Sequence, residues 1–345
     1  MTATSAFGLS VKIRSSRGDY RVVETGRDEL FQGLHAVVTD ANVASAVGPI
    51  TIPHMILPPG EETKSLQRYG EVLTWMAEAG LHRNSIIGAL GGGVIGDLVG
   101  FAAASYMRGI RYVQIPTSLL AMVDSSVGGK VAVDLPAGKN LAGAFHPPIQ
   151  VRVDLSTLRT LPPRELAAGM AEVIKTFAIP DATAFQRLGD EVDIKSVPIV
   201  LADLVRACIE FKSRIVEQDE DETTGLRAIL NFGHTIGHAL EATAGYSRYL
   251  HGEAVAIGMI AEARLGTRIG VTDGRAEASL RSVLAHHGLP TKLPTDLAID
   301  DLIRAMRRDK KARDGHLNFA LLREIGSARL VENVEESVVR EVLRG

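Results

Sequence analysis

A single cysteine, Cys208, excludes a disulfide framework within the chain. It reads as a small buried hydrophobe and fits a reducing compartment, so a cytoplasmic location is expected. Charge of one sign is equally scarce, since 38 Lys and Arg against 41 Asp and Glu leave a net charge of −3. No basic face for nucleic acid or for an anionic membrane is therefore expected. No apolar run approaches the roughly 18 residues of a membrane-spanning helix. The opening stretch, MTATSAFGLSVKIRSS, has no apolar core of the kind a secretory signal needs, and no such signal is expected. Internal repeats and low-complexity tracts are also missing. What remains is an ordinary globular composition, 46% hydrophobic and 23% charged, over 345 residues. That length suits two domains better than one core.

In the first half, short apolar runs alternate with glycine breaks. Residues 36–39, 85–90 and 112–115 are predicted strands. The first is followed by the turn Asp40-Ala41-Asn42, the second by three glycines, the third by Pro116. Residues 65–79 carry Leu66, Tyr69, Val72, Leu73 and Met76 at helical spacing. Strand, helix, strand with glycine-rich exits is the pattern of a parallel α/β sheet. From Pro162 onward the period turns helical. Helices are predicted over 163–176, 197–216, 226–244 and 252–269, with a final surface helix over 333–344. The boundary is placed near Leu161-Pro162-Pro163, giving an α/β domain over 1–161 and a mainly helical domain over 162–345.

Gly91-Gly92-Gly93-Val94-Ile95-Gly96-Asp97 follows a predicted strand and opens a predicted helix. Glycines let the backbone approach a ligand closely, and a helix N-terminus attracts phosphate. The spacing is not that of the usual dinucleotide fingerprint, and a tight strand-to-helix turn explains the run alone equally well. Glu61 and Glu62 before Lys64 read as helix capping. In Gly233-His234-Thr235-Ile236-Gly237-His238, the two histidines lie four apart, on one helix face. A third, in His251-Gly252-Glu253, opens the next helix, and Glu172 is an acid within an otherwise apolar helix. Buried carboxylates are costly unless paired or metal-bound. One glutamate and two histidines would make a catalytic zinc site with an open position; a pair of surface histidines is the plain alternative for His234 and His238. Arg108, Lys130, Lys139, Lys175, Lys212, Arg227, Lys310 and Lys311 supply positive charge, several of them beside glycines as in Gly128-Gly129-Lys130. Such lysines suit an anionic ligand, although Asp309-Lys310-Lys311 by itself is a plain charge run.

Four blocks in this order resemble the sugar-phosphate cyclase family: GGGVIGD at 91–97, PTSLLAMVDSSVGGKVAVDLPAGKN at 116–140, ELAAGMAEVIK at 165–175, and 227–251 with NFGHTIGHALE and LHGE. The resemblance runs from about Thr39 to Leu322. It implies an α/β nucleotide-binding domain, a mainly α-helical C-terminal metal-binding domain, and an active site in the cleft. It implies zinc, or cobalt in its place, on Glu172, His234 and His251. NAD is implied against Asp40, Asn42, Glu61, Lys64, Gly92, Gly93, Val94, Asp97, Thr117, Ser118, Leu120, Asp124, Lys130, Lys139, Thr157 and Thr160. A sugar-phosphate substrate is implied at Arg108, Asp124, Lys130, Lys139, Asn140, Lys175, Lys212, Arg227, Asn231, His238 and one of the pair Lys310-Lys311, taken as Lys310. Of these, Lys130, Lys175, Lys212, Arg227, Asn231 and His238 are the implied catalytic residues, His238 as a proton relay. Arg108 matches a phosphate-binding arginine that, in the family, can come from the neighbouring subunit of a homodimer.

Within the family, Asp124-Ser125-Ser126-Val127-Gly128-Gly129-Lys130 looks like the dehydroquinate synthases rather than the valiolone or deoxy-inosose synthases. Two departures stand out: Val131-Ala132-Val133 replaces the common Thr-Gly-Val, and the stretch from Lys212 to Arg227, with Thr223-Thr224, is one residue longer than usual. The implied chemistry is a transient oxidation by NAD, phosphate elimination, return of hydride and aldol closure, within the shikimate pathway. Three readings compete with it. A sister cyclase would take another sugar phosphate. A metal-dependent alcohol dehydrogenase would release NADH and has little need of so many cations. An inactive metal-binding scaffold would not require the complete ligand set.

Overall fold

The computed structural model describes residues 8–190, 198–308 and 317–344. Its contacts divide the chain into two compact units, Met1–Pro162 with Pro198–Glu220, and Pro163–Val197 with Asp221–Gly345.

The first unit holds β1 (Ser10–Ile13), β2 (Tyr20–Glu24), β3 (Ala36–Asp40), α1 (Ala41–Val47), β4 (His54–Leu57), α2 (Leu66–Glu78), β5 (Ile86–Gly91), α3 (Gly93–Ser105), β6 (Arg111–Pro116), the hairpin β7 (Lys130–Leu135) and β8 (Gly138–Phe145), and β9 (Gln150–Val153). Seven strands make one sheet in the order β1-β2-β9-β6-β5-β3-β4. Only the β1–β2 pair is antiparallel. Every residue of β3 is buried, and so are five of the six in β5. Continuous apolar runs of this kind are what a parallel sheet covered on both faces selects. Val72 and Met76 of α2 and Leu98, Val99 and Ala102 of α3 pack with Ile87, Ala89 and Tyr112 into one core. The winding reverses at β3, with β4 on one side and β5 on the other. The carboxyl ends of β3 and β5 therefore flank the switch point, where open α/β sheets bind ligands.

The second unit begins with α4 (Pro163–Ala178) and α5 (Ala182–Asp190). The next helix, α6 (Pro198–Gln218), groups with the first unit, so the helical stretch expected from residue 162 lends one helix to the α/β part. The second unit resumes with α7 (His234–Thr243), α8 (His251–Arg268), α9 (Ala276–His286), α10 (Ile299–Arg308), the hairpin β10 (Leu317–Glu324) and β11 (Ser327–Val334), and α11 (Glu336–Arg344). Ile236, Leu240, Ile257, Leu265, Leu302, Phe319 and Val339 share its core. Among the described residues, no helix is long and apolar enough to cross a membrane.

Three expectations need correction. Residues 226–244 are not one helix: a 3-10 segment, Leu226–Asn231, precedes α7, and Gly233 between them takes a φ of 81°. The final helix starts at Glu336 rather than 333, because Asn333 still belongs to β11. It is also not a pure surface helix, since Val339, Val342 and Leu343 are buried.

Candidate active site

In the second unit Glu172, His234 and His251 each offer one ligand atom, and these atoms lie within 4.8 Å of one another. Glu172 comes from α4, while His234 and His251 are the first residues of α7 and α8. Glu172 is 1% exposed. Its Oε1 lies 3.5 Å from His234 Nε2 and 3.5 Å from His251 Nε2, and it has no hydrogen-bond partner among the described residues. Ligand atoms set tetrahedrally about 2 Å from one ion stand roughly 3.3 Å apart. The observed spacing is close to that of ligands around a shared cation and too long for a well-formed hydrogen-bonded trio. The residues present therefore fit a zinc-sized ion.

Both rings are held from behind. His234 Nδ1 is 3.2 Å from the Phe232 carbonyl oxygen, and His251 Nδ1 is 3.1 Å from Glu241 Oε2. An Nδ1–H donated to such an oxygen leaves the Nε2 lone pair facing the cluster. Lys175, one turn after Glu172, pairs with Glu172 Oε2 at 2.5 Å. Burial alone would raise the Glu172 carboxyl, but Lys175 and His251 bring it down to about 2. Burial alone would lower the His251 imidazole, but Glu241 and Glu172 push it up to about 10. The two carboxylates thus demand positive charge, which a proton on His251 or a divalent ion supplies. The His238 ring stands 5.2 Å from that of His234 and 5.8 Å from that of His251.

Close helix contacts set this geometry. A Cβ on residue 252 would fall 1.9 Å from the Ala168 carbonyl oxygen, so only glycine can follow His251 where α8 meets α4. A Cβ on Gly258 would fall 2.0 Å from the Gly233 oxygen, which ties α8 equally closely to the start of α7. That start is capped from α8: the fully buried Glu262 accepts the N–H groups of Gly233 at 2.6 Å and Ile236 at 3.1 Å. The start of α8 is capped by Glu253, which accepts the Leu250 N–H at 2.9 Å. Arg164 of α4 grips Glu253 at 2.6 and 2.7 Å. Glu241 and Glu262 escape the sequence reading, although each is an acid in an apolar helical context, the same signal that singles out Glu172. Arg227, which is buried, places its Nε 3.5 Å from Glu222, another acid the sequence reading does not select. Asn231 donates to the Ala228 carbonyl at 3.2 Å.

The first unit gathers a second set of expected residues. Asp40, at the carboxyl end of β3, accepts the N–H groups of Asn42 and Val43 and so caps α1. Gly92 is the N-cap of α3 and brings no side-chain cap. The leading N–H groups of this 13-residue helix thus have no N-cap side chain to accept them at the switch point. Cβ atoms on Gly92 and Gly93 would come within 3.4 Å of Ser118 Oγ and 3.2 Å of Ser125 Oγ. A bare glycine rim, an uncapped helix start and a switch point fit the phosphates of a nucleotide. Nearby, Lys64 donates to Asp97 and Asn140 at 2.5 Å each, and Lys139 pairs with Glu61 at 3.2 Å. Burial alone would lower the Lys64 ammonium, but Asp97 and Glu61 hold it above its ordinary value. Lys212 of α6 donates to both the carbonyl oxygen and Oδ1 of Asp124 at 2.6 Å. Val94 lies in the first turn of α3, and Thr117, Ser118 and Leu120 follow β6. Lys130 opens β7 and is exposed. Thr157 and Thr160 turn their hydroxyls back onto Asp154 and Thr157 carbonyls. Arg108 is exposed in a left-handed turn with φ 66°. Lys310 and Lys311 lie outside the described residues.

The description "3-dehydroquinate synthase N-terminal" matches residues 54–168, and "3-dehydroquinate synthase C-terminal" matches residues 169–312. The chain belongs to the 3-dehydroquinate synthase family. A member of that family from Opitutus terrae, named 3-dehydroquinate synthase, is 48% identical over 317 residues, covering 90% of this chain and 88% of the relative. One of the same name from Xanthomonas oryzae pv. oryzae is 48% identical over 318 residues, with 90% and 86% covered. Among solved structures, 2-deoxy-scyllo-inosose synthase complexed with carbaglucose-6-phosphate, NAD+ and Co2+ is 27% identical with a TM-score of 0.85, covering 97% of this chain and 99% of the other. The valiolone synthase of Streptomyces hygroscopicus subsp. jinggangensis, with NAD+ and Zn2+ bound, is 28% identical with a TM-score of 0.85, covering 96% and 97%. An α/β part followed by a helical part is thus the architecture the 3-dehydroquinate synthase family shares with these cyclases.

Proposed function

We propose that the enzyme converts 3-deoxy-D-arabino-heptulosonate 7-phosphate to 3-dehydroquinate and phosphate. The observation that carries this reading is the intact convergence of the Glu172 carboxylate and two imidazole Nε2 atoms. The names of the relatives support 3-dehydroquinate as the product, and the groups bound by the two neighbouring cyclases support NAD and zinc, with cobalt as its substitute. Glu172, His234 and His251 would hold the ion. Asp40, Asn42, Glu61, Lys64, Gly92, Gly93, Val94, Asp97, Thr117, Ser118, Leu120, Thr157 and Thr160 would receive NAD, with Asp124, Lys130 and Lys139 shared between cofactor and substrate. Bound NAD would take a hydride from the substrate's C5 and return it, and the ion would polarise the oxygen on that carbon.

The chain's own residues bind and orient. Lys130, Lys139, Asn140, Lys175, Lys212, Arg227 and Asn231, the residues that the family resemblance implies, would pair with the carboxylate, phosphate and hydroxyls and fix one conformation. Elimination removes a proton from C6 and expels phosphate from C7. The substrate's own phosphate can accept that proton, so orientation is the larger task. His238, beside both proposed histidine ligands, is the candidate for moving the hydroxyl proton. A homodimer in which Arg108 serves the neighbouring subunit completes the proposal, supported by the family resemblance, together with a cytoplasmic location, supported by the lone buried Cys208.

Charge matching supplies the test. The proposed substrate carries a carboxylate and a phosphate, whereas sedoheptulose 7-phosphate and glucose 6-phosphate carry phosphate alone. Each hydrogen bond to a charged group is worth roughly 1.5–3 kcal/mol, so a site built for two anions should discriminate by several such bonds. Phosphate release should be far faster from the carboxylate-bearing substrate. Comparable rates on all three would sink the assignment and leave a sister cyclase.

A further inference from the structure

We propose that Glu241 is a positioning residue for the metal centre: its carboxylate holds the Nδ1–H of His251 and so decides which ring nitrogen faces the ion. The inference rests on reading Glu172, His234 and His251 as the ligands.

The two histidines are supported differently. Behind His234 stands a main-chain oxygen, that of Phe232, which no side-chain substitution removes. Behind His251 stands a side chain, Glu241, at 3.1 Å. Glu241 lies seven residues after His234, two turns along the same face of α7. One helix therefore supplies both a ligand and the support for the ligand on its neighbour. The exposures fit that division, because the His251 side chain is 30% exposed while that of Glu241 is 2% exposed. A ring this open to solvent can rotate or change tautomer unless something anchors it, and either event would turn its Nε2 lone pair away from Glu172. A buried carboxylate is expensive to keep for packing alone. A charged acceptor also makes the imidazole a stronger electron donor to a cation than a neutral one does.

His238, Glu241 and His251 also bring ligand atoms within 4.8 Å of one another, so Glu241 could instead take an ion of its own. That would require His251 to give both ring nitrogens to cations, with neither N–H left. An ordinary neutral imidazole, Nε2 forward and Nδ1–H on Glu241, needs no such step.

The test is zinc affinity of the metal-stripped protein, measured by competition with a chromophoric chelator, together with the visible spectrum of the Co2+-loaded form. Wild type should bind one equivalent. Glu241→Ala should bind it about 10- to 100-fold more weakly and shift the Co2+ bands. Glu241→Gln keeps an acceptor oxygen without the charge, and its affinity should fall between the two. Unchanged affinity and spectrum in the variants overturn the proposal. So does a second wild-type equivalent that Glu241→Ala alone abolishes, since Glu241 is then itself a ligand. Should the alanine variant fail to fold, the glutamine variant decides, and an unaltered constant there is fatal. Absence of stoichiometric binding in wild type would instead remove the underlying ligand reading.

Discussion

His251 and Arg227 should separate two kinds of loss. His251 would offer a nitrogen to the proposed ion, whereas Arg227 would offer a guanidinium to the proposed anionic substrate. Chelation should abolish turnover, and one divalent ion per chain should restore it. His251→Ala should lose metal and activity together, because two remaining ligands leave the ion open to solvent. Arg227→Ala and Lys212→Ala should lower kcat/KM by about 10- to 150-fold, the equivalent of one charged hydrogen bond each, while retaining metal. Metal content and kcat/KM measured on the same preparations check this; a metal-free Arg227→Ala protein, or a fully active metal-free wild type, would contradict it. Glu172 is legible from sequence because an acid interrupts an apolar helix. The significance of Glu241 is not, because its partner sits at the start of a different helix and only folding brings the two together.

At the level of elements, the carboxylates that cap α7 and α8 carry the frame. Glu262 satisfies two buried N–H groups at the start of α7. Glu262→Ala should strand both, at about 2–5 kcal/mol, and lower the thermal midpoint of the metal-free protein. An unshifted midpoint would show that water or a rearranged α7 start satisfies them. Glu253 behaves differently, since it can titrate. Partial burial alone would raise its carboxyl, but the Arg164 fork and the Leu250 N–H outweigh burial and hold it below the ordinary value of a glutamate. A depressed native value stabilises the fold fully above about pH 4.5, and the contribution fades as pH falls through the native value. Glu253→Gln should therefore be less stable than wild type at neutral pH, on the order of 1 kcal/mol because Arg164 is open to solvent. The two proteins should converge in acid, and a stability difference that persists at low pH would contradict the linkage. The strands 36–39, 85–90 and 112–115 and the helices at 65–79, 163–176 and 252–269 are legible because their apolar periods are unbroken. The break at Gly233 is not, because the residues on both sides keep a helical period and the φ of 81° arises where α8 presses on the turn. The β7–β8 and β10–β11 hairpins hide for a related reason, as strands such as GKNLAGAF and SARLVENV outside the main sheet show little strand period of their own.

For the molecule as a whole, the proposed cycle returns NAD to its starting form. Turnover should need only catalytic amounts of NAD, with no net NADH absorbance accumulating. Stoichiometric NADH from a simple alcohol would move the assignment to a dehydrogenase. The two-part plan is legible from the change of period near Pro162, but the return of α6 to the first unit is not. Nothing in an amphipathic helix names the surface it will cover, and α6 differs little in pattern from α4. That return has a consequence for biosynthesis. All the strands of the first unit emerge from the ribosome by Val153, yet the helix that brings Lys212 to Asp124 follows only after α4 and α5 have been made. Domains tend to fold in order of synthesis. Here the earlier one stays incomplete until residue 220, with part of the later one already translated. A transcript truncated after residue 162 would therefore offer the cell's proteases a first unit that lacks its last helix, and not half an enzyme.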